Sequence, residues 1–471
     1  MKDRIDIKNF ILEIENDFPV NSWKVDTVHI WPILRYHVFF GLIYTIENDR
    51  LRFEKKEETS SDNTQSTNLI NGFKQVLKWI WFSFILQKKQ QLFFSPNHIR
   101  VNYNNRFFNR FFDSLIRLKG FEKSSYVFDY HQENKSEWLV ENQEVFHSLL
   151  AYNTGYKRWN KLLRKFGLRK KKILSFDLNG YDDFLIYLQK FPETVHLANK
   201  YNTSFLTQYF NAIFENEHFF DKILGKTKPN QVYIICYYNP IMHSLLLSAK
   251  RKGIKVIEVQ HGPMSNTHLS YTHWNKVPEE GYVFLPDEFW CWDQDSLNNM
   301  DSWCNKTQKH SAFLGGNPWL DYLKKNKQSV ALPQNMVLYT LQPLAFEVLF
   351  PEGLLTLIRT RKWMWYIRLH PRQWNQKKEI SDYLKLHGAF DMVNLEEAYT
   401  VPLPVLLENC LVHLTHFSGS AIEASMMNKY SIILDKLGED TFKEIIQNQK
   451  AIYLPIDNQF SDSFENILNK L

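Results

Sequence analysis

From residue 91 onward, short apolar runs rich in Val, Ile, Phe and Tyr alternate with helical patterns. Parallel neighbours in a sheet need a crossover connection, usually a helix, whereas antiparallel ones can be joined by a tight turn. The alternation therefore predicts parallel, doubly wound sheets with helices on both faces. Strand candidates of a first series lie at 92–94, 126–128, 231–237 and 256–259. A loop over 95–105 leads into a helical pattern reaching about 118, and further helices are expected over 199–224 and 241–251. Gly253 stands where a helix C-cap is expected. A second series begins after the Gly315-Gly316-Asn317-Pro318 turn and the polar stretch 324–329. Its strands are expected at 337–340, 366–369, 411–414 and 432–434, and its helices at 351–361, 402–408 and 421–427. The expected fold is α/β, with two Rossmann-like doubly wound domains, 1–325 and 326–471, facing each other across a cleft.

Ahead of the first series, a leading segment over 1–68 holds a small unit that includes Ile30-Trp31-Pro32-Ile33-Leu34-Arg35. It ends in a polar stretch, 55–68, that reads as a linker or exposed loop. An aromatic helix over 73–86 comes next, packed in a core or resting on a membrane interface, with the core favoured. The longest apolar run, 77–86, is far below the roughly 20 residues needed to span a bilayer. The opening Met1-Lys2-Asp3-Arg4 continues into mixed polar sequence, which predicts no signal peptide. Four widely spaced cysteines fit no zinc or redox pattern and suit a reducing cytosol.

The net charge of +6 is unevenly spread. Residues 157–172, within a basic insertion at about 155–173, include nine basic residues and no acid, with Trp159, Leu162, Leu163, Phe166 and Leu168 at helical spacing. Such a helix can present an ordinary solvated face, lie on anionic lipid or grip nucleic acid. Membrane is favoured over nucleic acid, because no nucleic-acid module accompanies the patch.

Three loop motifs end or follow apolar runs: Glu258-Val259-Gln260-His261-Gly262, Arg368-Leu369-His370-Pro371-Arg372 and Thr415-His416-Phe417-Ser418-Gly419-Ser420. Ligands of open α/β sheets bind outside the carboxyl ends of strands, so these loops predict a site for an anion, read here as a nucleotide phosphate. Arg368, His370 and Arg372 offer charge-assisted donors to phosphate, and Pro371 biases His370 towards an extended backbone. The competing reading is a structural turn. Thr415, Ser418, Gly419 and Ser420 open a helix whose first N–H groups suit an anion, and Glu423 is placed to accept from ribose hydroxyls. The competing reading is an N-cap, with Glu423 completing a capping box. Gln342, just past the 337–340 run, joins the donor-binding candidates.

Gly262 permits an unusual backbone angle that would present His261, a side chain suited to general-base work near neutral pH. Glu279 and Glu280, followed by Gly281, are paired carboxylates that would activate an acceptor hydroxyl, with a solvated loop as the alternative. No P-loop, Gly-rich dinucleotide fingerprint or His-Glu-x-x-His motif occurs. The Ser418 turn is not a nucleophile elbow. No Asp-x-Asp stands in a convincing strand-end context, so no metal site is predicted.

With "VIEVQHGP", "FLGGNPWLDYL", "YIRLHPR" and "LTHFSGSAIEASMMNKYSIILD" in view, the chain resembles bacterial GT-B glycosyltransferases of capsule and other surface polysaccharides. The likeness covers roughly 230–455, and more faintly 90–130. A similar His-Pro motif and hydroxyl-rich turn mark sialyltransferases, Kdo transferases and CDP-glycerol glycerophosphotransferases, where they hold a cytidine-nucleotide donor. The resemblance implies that His370, Ser418 and Ser420 bind donor phosphate and that Glu423 meets the ribose. Glu279-Glu280-Gly281 looks like the sialyltransferases' acidic-acidic-Gly motif, although it comes after the Gln-His-Gly turn instead of before it. His261 looks like the base proposed for the CDP-glycerol enzymes.

The expectation is a metal-independent glycosyltransferase with no cofactor beyond its nucleotide-sugar co-substrate, a CMP-sugar being favoured. Residues 1–325 would bind a surface-polysaccharide or lipid-linked glycan acceptor, and 326–471 the donor. The protein would be cytoplasmic, with peripheral contact to anionic lipid at the inner face of the cell membrane left open, and without a nucleic-acid partner. The alternatives are a CDP-polyol phosphotransferase on the same fold and a non-catalytic component of a polysaccharide-assembly complex.

Overall fold

The structure, a computed structural model, describes residues 1–47, 69–130, 139–143, 145–169, 172–327 and 330–471. The linker expected over 55–68, Lys170 and Lys171 of the basic run, and the end of the 324–329 stretch lie outside them. The chain separates into two compact units, the first gathering Met1–Ile46 and most of the chain up to Trp319, the second built on Leu320–Leu471.

A seven-stranded, wholly parallel sheet forms the first unit. Its strands are β1 (Gln91–Ser95), β2 (Ser125–Asp129), β3 (Phe146–Ser148), β4 (Gln231–Ile234), β5 (Lys255–Val259), β6 (Glu288–Cys291) and β7 (Ser311–Leu314), in spatial order β7-β6-β5-β4-β1-β2-β3. β1 and β2 are buried at every position, as strands covered on both faces should be. The chain runs outward from β1 to β3, returns beside β1 as β4, and runs outward again to β7. The order therefore reverses between β1 and β4.

β6 and β7 escape a search for apolar runs because they stand towards the sheet edge, with half-exposed residues and polar Glu288 and Ser311 in short strands. The loop expected over 95–105 is also more structured than its polar sequence suggests. It contains the first strand of an antiparallel hairpin, Arg100–Tyr103 paired with Arg106–Asn109. The hairpin turns at Asn104 and Asn105 with φ of 50° and 58°, the left-handed angles a two-residue turn requires and Asn tolerates.

Met1–Ile46 of the leading segment belongs to this unit. Helices α1 (Arg4–Asp17) and α2 (Trp31–Ile46) are joined by a buried ion pair, Arg35 Nε to Glu15 Oε1 at 2.8 Å. The same guanidinium donates to the carbonyls of Leu269, Thr272 and His273 and lies 4.1 Å from the Trp274 ring centroid. One buried cation thus fixes the loop beyond β5.

In the second unit, β8 (Met336–Thr340), β9 (Met364–Arg368), β10 (Val393–Asn394), β11 (Val412–Thr415), β12 (Ser431–Ile433) and β13 (Ala451–Tyr453) form a parallel sheet in the order β10-β9-β8-β11-β12-β13. Side chains alternate across it with the period of two that a strand imposes. Val337 and Tyr339 join one apolar core, and Met336 and Leu338 join the other. The strand order reverses between β8 and β11. Both units are Rossmann-like parallel sheets, as the alternation of runs predicts.

Candidate functional site

In an open parallel sheet, the loops that diverge at a reversal of strand order leave a crevice outside the carboxyl ends. In the second sheet the flanking residues are Thr340 to Gln342 after β8 and Thr415 to Ser420 after β11, with the His370 turn one strand further out.

The His370 turn is built by local capping. His370 is extended (φ −62°, ψ 144°), as the next residue, a proline, dictates, and caps a short 3-10 helix, Pro371–Gln376. Its Nδ1 accepts from Arg372 N at 3.2 Å, and its own N–H donates to Gln373 Oε1 at 3.2 Å. An Nδ1 that accepts leaves the neutral ring's proton on Nε2, which makes that atom a donor. Arg372 is exposed and Gln342 is buried.

The Thr415 turn is likewise self-satisfied. Ser418 N donates to Thr415 Oγ1 at 3.2 Å and Ser420 N to Ser418 Oγ at 3.3 Å. Ala421 N and Ile422 N donate to the carbonyls of Ser418 and Gly419. The Gly419 amide stands outside these bonds, and Ser418 is half-buried. Helix α7 (Ser420–Met426) starts from Gly419, with φ −56°, so its cap is backbone and no capping box forms with Glu423.

Several expected donor residues are engaged elsewhere. The Arg368 guanidinium donates to the carbonyls of Ala398 and Val401, tying β9 to the end of the helix Glu396–Thr400. Ser420 Oγ lies 2.8 Å from Thr340 Oγ1 and 3.2 Å from His413 Nε2, inside a buried network that continues from His413 Nδ1 to Ser431 Oγ at 2.9 Å. Burial pushes His413 down to about 3, so the ring is neutral. The Ser420 hydroxyl therefore anchors α7 to the sheet, and the Glu423 side chain is buried behind it.

At the first sheet's reversal point, β4 is followed by Ile235 and Cys236. Cys236 takes a left-handed φ of 65°, a strained angle for a residue with a Cβ. Beside it, β5 carries Glu258, fully buried, which accepts from Tyr271 Oη at 2.6 Å and from Tyr237 N at 3.1 Å. Burial pushes the Glu258 carboxyl up to about 8, and the bonds from Tyr271 and Tyr237 offset only part of that. At pH 7 it is mostly a neutral acid. His261 Nδ1 lies 3.9 Å from Glu258 Oε1, buried and without a hydrogen-bond partner. Burial, with a smaller contribution from Arg110, pushes His261 down to about 4. His261 is therefore a neutral base beside a protonated acid.

The turn's shape comes from Gln260, not Gly262. Gln260 Nε2 donates to Gly262 O at 3.0 Å and to Ser296 Oγ at 2.9 Å, and its Oε1 accepts from Trp292 N at 2.6 Å. Gly262 has no left-handed φ, and a Cβ there would meet nothing within 4 Å.

Glu279 and Glu280 are not brought to this strand end. Gly281 packs against Lys309 and His310, which precede β7, and Tyr282 N donates to His310 Nε2 at 3.1 Å. The loop then enters at Asp287, whose carboxylate accepts from Val256 N at the start of β5. The acidic pair thus lies towards the amino ends of the parallel strands, the opposite end from His261. Glu280 instead meets His29 Nε2 at 2.9 Å, and that hydrogen bond holds its exposed carboxyl below the usual range.

Sequence reasoning passed over Glu258, Tyr271 and His268. A charged residue inside the apolar run Val256-Ile257-Glu258-Val259 was the available signal for the first. His268 has a buried, unpartnered Nδ1 and sits 6.0 Å, ring to ring, from Tyr238. In the second unit, Gly438 was missed. A Cβ there would lie 1.9 Å from His416 O, so only glycine lets the helix Lys436–Thr441 after β12 close on the turn after β11.

No protein-family profile matches the chain, and no curated protein matches it. Solved structures do. A UDP-GlcNAc 2-epimerase from Neisseria meningitidis, bound to UDP-GlcNAc, is similar over 81% of this chain and 91% of its own, at 16% identity and a TM-score of 0.45. For the Methanocaldococcus jannaschii UDP-GlcNAc 2-epimerase in complex with UDP-GlcNAc and UDP, the coverage is 81% and 93%, the identity 16% and the TM-score 0.47. Acinetobacter baumannii MurG covers 81% of this chain and 91% of its own at 9% identity and a TM-score of 0.40. Likenesses this distant decide neither ligand nor reaction, and the two Rossmann-like sheets rest on the strand pairings described above.

Proposed function

We propose that this protein is a metal-independent glycosyltransferase of the GT-B class that uses a nucleotide-activated sugar, a CMP-sugar in the first instance. The second unit holds the donor, and the first takes a surface-polysaccharide or lipid-linked glycan acceptor. The observation that carries this reading is the gathering of Gln342, His370 and Ser418 outside the carboxyl ends of β8, β9 and β11, around the reversal of strand order. His370 Nε2, Arg372 and the Gly419 amide are the donors assigned to phosphate. They stabilise the charge that develops as the glycosidic bond to phosphate breaks. His261 Nε2 takes the proton of the acceptor hydroxyl as that oxygen bonds to the sugar's anomeric carbon, and the nucleotide leaves with the bond electrons. The Glu258 carboxyl faces His261 Nδ1 at 3.9 Å and orients the ring, so Glu258 is a positioning residue.

The test is nucleotide release from CMP-, UDP- and GDP-sugars in the presence of an envelope glycan fraction. The reading expects release from one donor, falling by about 100-fold or more in His261→Ala, the lower end of what a general base contributes. No release from any donor, or equal release by the variant, overturns it. Release of CMP from CDP-glycerol alone would replace the sugar donor by a polyol phosphate.

A further inference from the structure

Two helices of the first unit share an exposed face that neither core packing nor the nucleotide reading uses. These are α3 (Leu69–Ile85) and α4 (Leu149–Lys165). They run antiparallel. A Cβ on Gly155 would lie 2.2 Å from Gln75 O, Arg158 reaches Gly72, and Phe82 stacks on Tyr152 at 3.7 Å. Trp79 of α3 and Tyr156 of α4 both pack on Phe219 of α5 (Thr203–Thr227), at 5.1 Å and 5.4 Å. Since both helices rest on α5 by these faces, their opposite faces point away from it together.

That outer face is apolar where a solvated helix would be polar. Phe73, Leu77, Trp81 and Phe84 fall at i, i+4, i+8 and i+11, one stripe of α3, and Trp81 and Phe84 are 59% and 78% exposed. Phe166 and Leu168, in the turn that ends α4, are 72% and 75% exposed. An apolar patch of this kind marks a contact surface. The charge says which kind. The two helices carry seven basic residues and no acidic one. Part of the basic run is engaged: Arg164 pairs with Glu215 at 3.0 Å, Arg169 bonds Asn160 at 2.6 Å, and Lys172 pairs with Asp26 at 2.5 Å. Lys74, Lys78, Lys157, Lys161 and Lys165 form no ion pair among the described residues, and all five are exposed.

We infer that the α3–α4 face is a docking surface for an anionic lipid bilayer, with Phe73, Trp81, Phe84 and Phe166 entering the headgroup region and the five lysines meeting lipid phosphates. Aromatic rings suit that depth, and lysines hold their charge above it by extending their stems. A second copy of this chain fits poorly, because the face would bring like charges together. No helix among the described residues is long and apolar enough to cross a membrane, so the contact is peripheral. The inference stands apart from the nucleotide reading.

The test is co-sedimentation of the full chain with vesicles of phosphatidylglycerol and phosphatidylcholine, and with phosphatidylcholine alone. Binding to the anionic vesicles is expected, weakening with salt and falling about fivefold for each of Lys157, Lys161 and Lys165 changed to Gln. A Phe73→Ser/Trp81→Ser/Phe84→Ser variant is expected to lose vesicle binding and keep its thermal melt, because the three side chains are exposed. Absence of binding by the wild type, or binding unchanged in both variants, overturns the inference. So does sedimentation velocity showing that the serine variant turns a dimer into a monomer, which would make the face a self-contact. If the triple variant melts early, Trp81→Ser alone is compared with wild type on the same vesicles.

Discussion

The two sheets share a strand order and place a histidine at a strand end one step from its reversal, yet they treat that histidine in opposite ways. Around His370 the turn satisfies itself: the ring accepts from Arg372, Gln373 closes the capping box, and the neighbouring Ser418 turn bonds within itself. Around His261 the balance is different, with a buried, unpartnered Nδ1 facing a carboxyl whose pKa burial pushes up to about 8. Satisfied turns make rigid platforms on which a ligand is positioned. Unbalanced buried groups exchange protons, and perturbed groups of this kind concentrate where chemistry happens. In the proposed reading, binding falls to the second sheet and proton transfer to the first.

The largest effect expected comes directly from that contrast. His261→Ala should lower turnover by about 100-fold or more while nucleotide affinity stays near wild type. His370→Ala should do the reverse, raising the nucleotide dissociation constant by about tenfold or more, as loss of a hydrogen bond to a charged phosphate would. Steady-state kinetics with nucleotide titration separates the two, and equal effects on both parameters in both variants would break the comparison.

The next effect concerns stability and pH. Glu258 has a folded pKa of about 8, above its unfolded value near 4.5, so the folded state binds more protons between them and stability falls as pH rises through that window. His261 is lowered to about 4, so its contribution rises with pH between 4 and 6.5 and opposes Glu258 there. Above pH 6.5 only the Glu258 decline remains of the two. Thermal melts of wild type should therefore drop between pH 6.5 and 8, and Glu258→Gln should flatten that drop. A variant whose melts decline as steeply as wild type would show that Glu258 is already ionised.

A smaller effect sharpens the second sheet. Ser420→Ala removes one member of the Thr340–His413–Ser420 network and should destabilise the protein by about 1–3 kcal/mol, leaving nucleotide affinity unchanged. A weakened affinity without loss of stability would return Ser420 to the phosphate site. Smallest of all, Glu280→Gln should leave turnover within error, because its carboxylate is tied to His29 at the other end of the strands.

Much of this architecture was legible in the chain because buried parallel strands are continuous apolar runs. Gln231-Val232-Tyr233-Ile234 and Val337-Leu338-Tyr339-Thr340 announce themselves, and helices between them are required as crossovers. Edge strands such as Ser311–Leu314 and Val393–Asn394 were silent, since one covered flank needs less apolar sequence. The strand-end loops were legible too, but the division of labour inside them was not. Nothing in Arg368-Leu369-His370 says that the arginine turns back to cap the carbonyls of Ala398 and Val401. Nothing in Glu279-Glu280-Gly281 says which end of the sheet the loop reaches. Those outcomes depend on contacts between residues about 30 positions apart, which local pattern does not encode. Glu258 was the missed clue, a carboxylate inside an apolar run, where burial raises the carboxyl's pKa.

The central claim is that the second sheet's reversal point binds the nucleotide. Thermal shift with CMP, CDP, UDP, GDP, ADP and UDP-GlcNAc, on wild type and His370→Ala, tests it most directly. A ligand at about 100 times its dissociation constant should add roughly 2.7 kcal/mol of stability. Stabilisation of the wild type by one nucleotide, lost in His370→Ala, is the result the account predicts. No shift with any nucleotide, or an equal shift in the variant, would contradict it.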